Sequence, residues 1–400
     1  MIRVLVVDDS VVIRRLVAQT LDRDPEITVV GTAADGRLAL AKVEQLDPDV
    51  VTLDIEMPVM DGIETVRALR AAGRRMPVVM FSTLTERGAS ATLDALTAGA
   101  TDYVTKPSGS GSVQTALERV GLELTPKIKA LVPRAPAAAA PRESGTPAVV
   151  RPPDPGRRGR GAAQPALARG GLELTPKTTA RAPRAPAAPA ARASGTTAVV
   201  RRPAPARPVR AVVVGSSTGG PEALRTVLSS LTTPLPVPML VVQHMPPVFT
   251  RQLAERLDRA GPTTVVEAAG GEVLRPGHAY LAPGGRHLEL GRQGTGLTTL
   301  VTDGPPVNFT RPAVDVLFRS AVRTLGGDLL AVVLTGMGSD GRDGAGEIAR
   351  AGGHVLAQDE QSSVVWGMPG AVTTAGHAHA VLPLDQVARA IVGAAEGAHA

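Results

Sequence analysis

Ninety residues in the middle of this 400-residue chain cannot bury a hydrophobic core, so whatever folds must lie in two blocks on either side of them. Residues 121–210 hold 16 of the 35 prolines, no aromatic residue, and runs such as APAAAAP and APRAPAAPAA. The segment also copies itself. ALERVGLELTPK from Ala116 returns as ALARGGLELTPK from Ala166, and SGTPAVVR from Ser144 returns as SGTTAVVR from Ser194, both at an offset of 50. A solenoid needs about three or more units with apolar faces, so a single duplication that lengthened a linker is the simpler reading. The expected layout is a domain over 1–120, a disordered Pro/Ala/Arg-rich linker over 121–209 and a second domain over 210–395.

The basic charge sits in that linker. Residues 121–210 carry 17 Lys and Arg against 4 Asp and Glu, and this +13 within a total of +6 leaves the presumed folded parts at −7. A regulator binding nucleic acid through the linker arginines is the competing class. No helix-turn-helix pattern or aromatic platform accompanies those arginines, and solvation accounts for them as well, so no nucleic-acid partner is expected. The lack of cysteine removes disulfides, thiolate nucleophiles and Cys-ligated zinc. The opening MIRVLVVDDS places two acids straight after a short apolar run, unlike a signal peptide, and no apolar stretch approaches membrane-spanning length. A cytoplasmic location without membrane insertion is expected.

With 43% hydrophobic but only 2% aromatic residues, any core is built from aliphatic side chains, which suits buried parallel strands. Before the linker, strands are predicted near 3–7, 28–32, 50–53, 77–82 and 102–105, with amphipathic segments between them. That alternation predicts a (βα)5 domain on a doubly wound parallel sheet. After the linker, strands are predicted near 211–214, 238–243, 328–335 and 354–358, and a helix opens at Pro221, a favoured first-turn residue. A second, larger α/β domain of Rossmann-like, mostly parallel type follows.

Ligands of open parallel sheets gather at the carboxyl ends of the strands. Asp8 and Asp9 end the first strand, Asp54 the third, Ser82 the fourth, and Lys106 the fifth. Any one of these alone reads more simply as a strand-end or turn residue. Together, three crowded carboxylates favour a hard divalent cation, most simply Mg2+, and one of them could attack a phosphoryl group while Lys106 and Ser82 hold its oxygens. In the second block, AVVVGSSTGGPEALRTVL carries G-x-S-x-G across Gly215, Ser217 and Gly219 between a strand and a helix. An isolated GSSTGG reads equally well as a phosphate-binding turn. His244 ends the next strand, however, and Asp340 follows a later one, so a single crevice could collect a nucleophile, a base and an orienting carboxylate. Asp343 lies nearby. The order Ser, His, Asp is not that of the α/β-hydrolases.

Residues 1–120, with MPVMDG after Asp54 and Tyr103 and Lys106 in DYVTKP, resemble the two-component receiver domain. Residues 211–385 resemble the protein-glutamate methylesterase domain of chemotaxis, the CheB family, in GSSTGG, QHMPPVFTRQLAERL, PGHAYLAPGGRHLEL, RPAVDVLF and LTGMGSDG. The resemblance implies phosphorylation of Asp54 by a CheA-type histidine kinase, with Asp8, Asp9 and Asp54 on magnesium, the Glu56 carbonyl as a further ligand, and Tyr103 sensing the phosphoryl group beside Ser82 and Lys106. It also implies Ser217 as nucleophile, His244 as general base, Asp340 as orienting acid, and the Met337 N–H at the oxyanion site. No cofactor is implied for the esterase. The implied substrate is a γ-glutamyl methyl ester on a receptor, with glutamine deamidation as a second activity. Departures from the family pattern are Ser216 for alanine, Trp366 for phenylalanine and Ala313 for serine. Ser216 leaves two adjacent hydroxyls, of which the G-x-S-x-G frame favours Ser217. The family further implies that the receiver covers the hydrolase crevice until it is phosphorylated. A flexible linker of about 90 residues spans roughly 50 Å and lowers the domains' effective concentration, so weak docking and partial basal activity are expected.

Overall fold

The structure, a computed structural model, describes residues 1–106, 113–132 and 208–397. Most of the expected linker, with the second copy of the duplicated segment, lies outside the described residues. In the first block β1 (Ile2–Val7), α1 (Val11–Leu21), β2 (Ile27–Ala33), α2 (Gly36–Leu46), β3 (Val50–Asp54), α3 (Gly62–Ala71), β4 (Val78–Ser82), α4 (Glu86–Thr97), β5 (Asp102–Thr105) and α5 (Val113–Leu131) follow one another. Their strands pair in the order β2-β1-β3-β4-β5, all parallel. VVTLD of β3 and VVMFS of β4 are buried at every position because helices cover both faces of the sheet, which is why they read as unbroken apolar runs. From β1 the chain passes first to one side and then to the other, opening a crevice at the carboxyl ends of β1 and β3. The loop leaving β3 is held by a capping box in which Asp61 and Glu64 bond each other's backbone amides at 2.7 and 3.1 Å.

The domain boundary drawn at residue 120 falls short of the end of this helix. α5 continues to Leu131, so the first copy of the duplicated ALERVGLELTPK is helical and belongs to the first domain. Val120, Leu124, Ile128 and Leu131 recur at helical spacing and are buried in the cluster that also holds Leu16, Val17 and Leu21 of α1. Composition concealed this, because Pro126, Lys127 and Lys129 lie between those aliphatics and average them away. Pro126 forgoes one helical hydrogen bond, and the buried stripe on either side of it holds the helix together.

The second block runs β6 (Ala211–Ser216), α6 (Gly220–Ser229), β7 (Met239–Gln243), α7 (Phe249–Asp258), β8 (Thr264–Glu267), β9 (His278–Leu281), β10 (His287–Gln293), β11 (Gly296–Thr302), α8 (Val314–Leu325), β12 (Leu329–Val333), α9 (Arg342–Arg350), β13 (His354–Gln358), α10 (Met368–Thr374), β14 (Ala380–Leu382) and α11 (Leu384–Ala395). Seven strands form a wholly parallel sheet ordered β14-β13-β12-β6-β7-β9-β8, and β10 and β11 make a separate antiparallel hairpin. All nine strands predicted across the two domains are present. The sequence reading lacked β8, β9, β14 and the hairpin. The first three have only three or four residues, and β8 and β14 are the two edges of the sheet, so they carry no long apolar run.

The two domains touch through α4 and β5 on one side and α6 and α7 on the other. Arg256 bonds the Asp94 carboxylate and the Ser90 carbonyl, both at 2.8 Å, and Arg251 pairs with Glu86. The Tyr103 ring stacks on Phe249 with centroids 4.9 Å apart and planes 7° from parallel.

Candidate active site and carboxylate pocket

In the first domain the carboxylates of Asp8, Asp9 and Asp54 offer oxygens within 4.8 Å of one another. Lys106 Nζ reaches both Asp54 Oδ2, at 2.7 Å, and Asp8 Oδ2, at 3.0 Å. One ammonium does not balance three carboxylates. Burial pushes the Asp54 carboxyl up to about 6, with the Asp8 charge adding to it and Lys106 opposing it. Asp8 Oδ2 is buried and, although within ion-pair range of Lys106, has no hydrogen-bond partner among the described residues. Glu56, Ser82 and Lys106 line the same pocket. The Ser82 hydroxyl lies within 3.1 Å of the Gly88 carbonyl and accepts from Thr92 at 2.5 Å. Tyr103, grouped with Ser82 by resemblance, is placed elsewhere. Its buried ring packs on Phe249 and beneath Lys127, and it lines the cleft of the second domain rather than the carboxylate pocket.

That cleft, of about 830 Å³, contains Ser217, His244 and Asp340. They come from the loops after β6, β7 and β12, three strands that are neighbours in the sheet. The turn after β6 is tied down on every side. The Ser217 amide donates to Thr335 O at 3.0 Å, and its carbonyl accepts from the Gly220 amide at 2.7 Å and from Gln243 Nε2 at 2.9 Å. Gly219 holds φ +76°, in the left-handed region that glycine tolerates, and a Cβ on Gly336 would lie 2.8 Å from the Ser217 Cβ. The choice between adjacent hydroxyls follows from burial. Ser216 is wholly buried and bonded to Gln243 Oε1 at 2.7 Å, whereas Ser217 faces the cleft.

His244 Nε2 lies 2.8 Å from Asp340 Oδ2, so a neutral ring with its proton on Nε2 leaves Nδ1 as the proton acceptor. Among the described residues no hydrogen bond joins Ser217 Oγ to His244, and catalytic hydrogen bonds are often loose before substrate arrives. Asp340 is held more firmly. Its oxygens accept from the amides of Val314 and Asp315 at 2.6 and 3.1 Å, the first turn of α8, where the helix offers unpaired donors and the positive end of its dipole. Ala313, the cap residue of that helix, has no side-chain oxygen for the task, and the carboxylate performs it. Burial alone would raise the Asp340 carboxyl. Bonds from His244, Asn308 and the Val314 amide outweigh it and hold the group below its ordinary value. Met337 lines the cleft, and its N–H has no acceptor among the described residues.

Sequence reasoning missed three supporting side chains. Gln243 clamps the Ser217 turn. Asn308 Nδ2 bridges Asp340 Oδ1 at 2.8 Å and Asp315 Oδ2 at 2.9 Å. Asp315, raised by burial and by the nearby Asp340 charge, also accepts from the Gly344 amide at 2.7 Å. Gln243 and Asp315 lie within the quoted motifs QHMPP and RPAVDVLF, but only contact reveals their partners. Asp343 stays on the surface, bonded to Arg342.

A family profile described as CheB methylesterase matches residues 212–391, and one described as response regulator receiver domain matches residues 4–118. A protein-glutamate methylesterase/protein-glutamine glutaminase of a Nocardioides species is 54% identical over 388 residues, covering 96% of this chain and 92% of the relative. Proteins of the same name from Trichodesmium erythraeum and Nitrobacter hamburgensis are 40% and 43% identical, covering 98% and 100% of this chain and 98% and 95% of theirs. With its receiver domain in front and its serine, histidine and aspartate on three neighbouring strands, the chain belongs to the CheB methylesterase family.

Proposed function

We propose that the chain is a phosphorylation-controlled serine esterase that hydrolyses γ-glutamyl methyl esters on the cytoplasmic helices of chemotaxis receptors. The observation that carries the reading is the shared cleft, with Asp340 bonded to His244 at 2.8 Å and Ser217 presented beside them. Ser217 Oγ attacks the ester carbonyl while His244 Nδ1 takes its proton, and Asp340 stabilises the imidazolium that forms. The Met337 N–H, which lines the cleft and has no acceptor among the described residues, receives the developing oxyanion. His244 returns the proton to the leaving methoxide, methanol departs, and water repeats the attack on the acyl-enzyme to release glutamate and free Ser217. Glutamine follows the same steps with ammonia leaving.

Control is assigned to Asp54, phosphorylated by a CheA-type histidine kinase. The buried, unpartnered Asp8 oxygen and the excess of carboxylate over ammonium suit a divalent ion, most simply Mg2+, on Asp8, Asp9, Asp54 and the Glu56 carbonyl. When bound, it supplies charge neutralisation between the carboxylate and an incoming phosphoryl group. Ser82 and Lys106 line the same pocket as Asp54, which supports a role for both in holding phosphoryl oxygens. Residues of the receiver line the catalytic cleft, among them Leu122, Glu123 and Lys127 of α5, which supports occlusion of the substrate in the unphosphorylated state. Asp102 Oδ2 also accepts from the Thr218 hydroxyl at 2.8 Å, next to the nucleophile. Among the described residues no helix is long and apolar enough to cross a membrane, in keeping with action from the cytoplasm on receptor helices. The reading is tested by methanol release from methylated receptor with and without a small-molecule phosphodonor. Release that depends on Ser217 and rises with the phosphodonor is the expected result.

A further inference from the structure

We infer that Phe309 is a docking residue that seats an apolar side chain of the substrate helix beside the reacting ester; this rests on the reading of the substrate given above. The chain has four phenylalanines. Phe81, Phe249 and Phe318 are buried, whereas Phe309 is completely exposed, at 103% of a free side chain. It stands at the rim of the cleft that holds Ser217 and His244. The receiver does not cover it even in this closed arrangement, so the ring contributes nothing to domain docking.

The backbone beneath it is held for a purpose. Val307 and Thr310 exchange both of their hydrogen bonds, each at 3.0 Å, around a two-residue turn, and Asn308 and Phe309 adopt φ of +52° and +64°. Such turns favour glycine at the second position, and phenylalanine is a poor occupant of that region. Asn308 and Thr310 both fasten the turn to the catalytic carboxylate, at 2.8 and 3.4 Å. The result is an aromatic ring that packs against nothing, on a strained backbone fixed to Asp340. A surface turn with no role would more readily carry glycine. A ring in this place offers an apolar face, carried on a fixed backbone, at the mouth of the cleft that holds the nucleophile, which suits an apolar residue about one turn along a helix from the modified glutamate.

The full chain and its Phe309→Ala, Phe309→Gly and Phe309→Tyr variants, all treated with the same phosphodonor, would be compared on radiolabelled methylated receptor in membranes and on p-nitrophenyl acetate, an ester with no helix to dock. For Phe309→Ala the loss in kcat/KM on receptor should exceed that on the small ester by roughly ten-fold or more, mostly through KM. Phe309→Gly should lose as much although its turn is relaxed, and Phe309→Tyr should recover most of the loss. Equal losses on both substrates, or wild-type kcat/KM on receptor, would overturn the inference. If the wild-type chain releases no methanol from receptor while Ser217-dependent hydrolysis of the small ester persists, the substrate reading fails first and this inference with it.

Discussion

Asp340→Asn preserves the shape of the side chain and removes its charge. Oδ1 accepts from Asn308 at 2.8 Å and from the amides of Gly341 and Asp315 at 3.0 and 3.1 Å. Oδ2 accepts from His244 at 2.8 Å, the Val314 amide at 2.6 Å and the Thr310 hydroxyl at 3.4 Å. Whichever way an asparagine turns, its NH2 group faces buried donors, so at least one charge-assisted bond is lost and a donor is left unpaired. Folding stability should fall by about 2–4 kcal/mol. With its amide toward His244, the variant favours the wrong tautomer and no longer stabilises the imidazolium, and kcat should fall by about 10⁴. The stability difference depends on pH in a defined sense. The Asp340 carboxyl is lowered in the folded state, so its contribution is complete above its unfolded value near 3.8 and is lost only as pH falls through the lower folded value. Asp315 is raised mainly by burial and in part by the Asp340 charge, so it acts in the opposite sense, and less strongly in the variant, which lacks that charge. Methanol release and denaturant unfolding of both proteins between about pH 3 and 8 measure the two effects. Activity within ten-fold of wild type, or a stability gap that widens on acidification, would refute the reasoning.

Ser217→Ala should lower kcat by roughly 10⁴–10⁶ with little change in unfolding midpoint, since the Ser217 hydroxyl makes no hydrogen bond among the described residues; methanol release near wild type would remove it as nucleophile. Asp54→Asn, or chelation of divalent cations, should abolish stimulation by a phosphodonor and spare basal esterase activity, as read by methanol release before and after the donor is added. Asp102→Ala removes the receiver's hold on Thr218 and should raise basal activity of the unphosphorylated chain. The isolated residues 208–397 measure the ceiling for that release. A large excess of their activity over the full chain would refute the weak docking that linker length predicts.

Local pattern carried far in this chain. Unbroken aliphatic runs such as VVTLD and AVVVGS announce strands covered on both faces, and the polar residue that ends each run announces a sheet edge where chemistry gathers. Asp8, Asp54, Ser217 and His244 were legible as candidates in this way, and Asp340 as a residue of the loop after a later strand. Composition was a poorer guide at α5, where a buried stripe of four aliphatics runs through a proline- and lysine-bearing segment and extends the first domain to Leu131.

What only the tertiary structure decided is which ends meet. His244 and Asp340 are 96 residues apart and touch because β12, β6 and β7 are neighbours, an order set by how the whole sheet packs. The same non-local packing turned Ser216 inward, placed Tyr103 on Phe249, made Asn308 the bridge between two carboxylates, and set α5 across the cleft. Periodicity is a property of neighbours along the chain, whereas a bridging amide or a buried hydroxyl is a property of neighbours in space. The sequence by itself therefore determined the elements and the reactive groups at their ends, and the fold alone determined which of those groups act on one another.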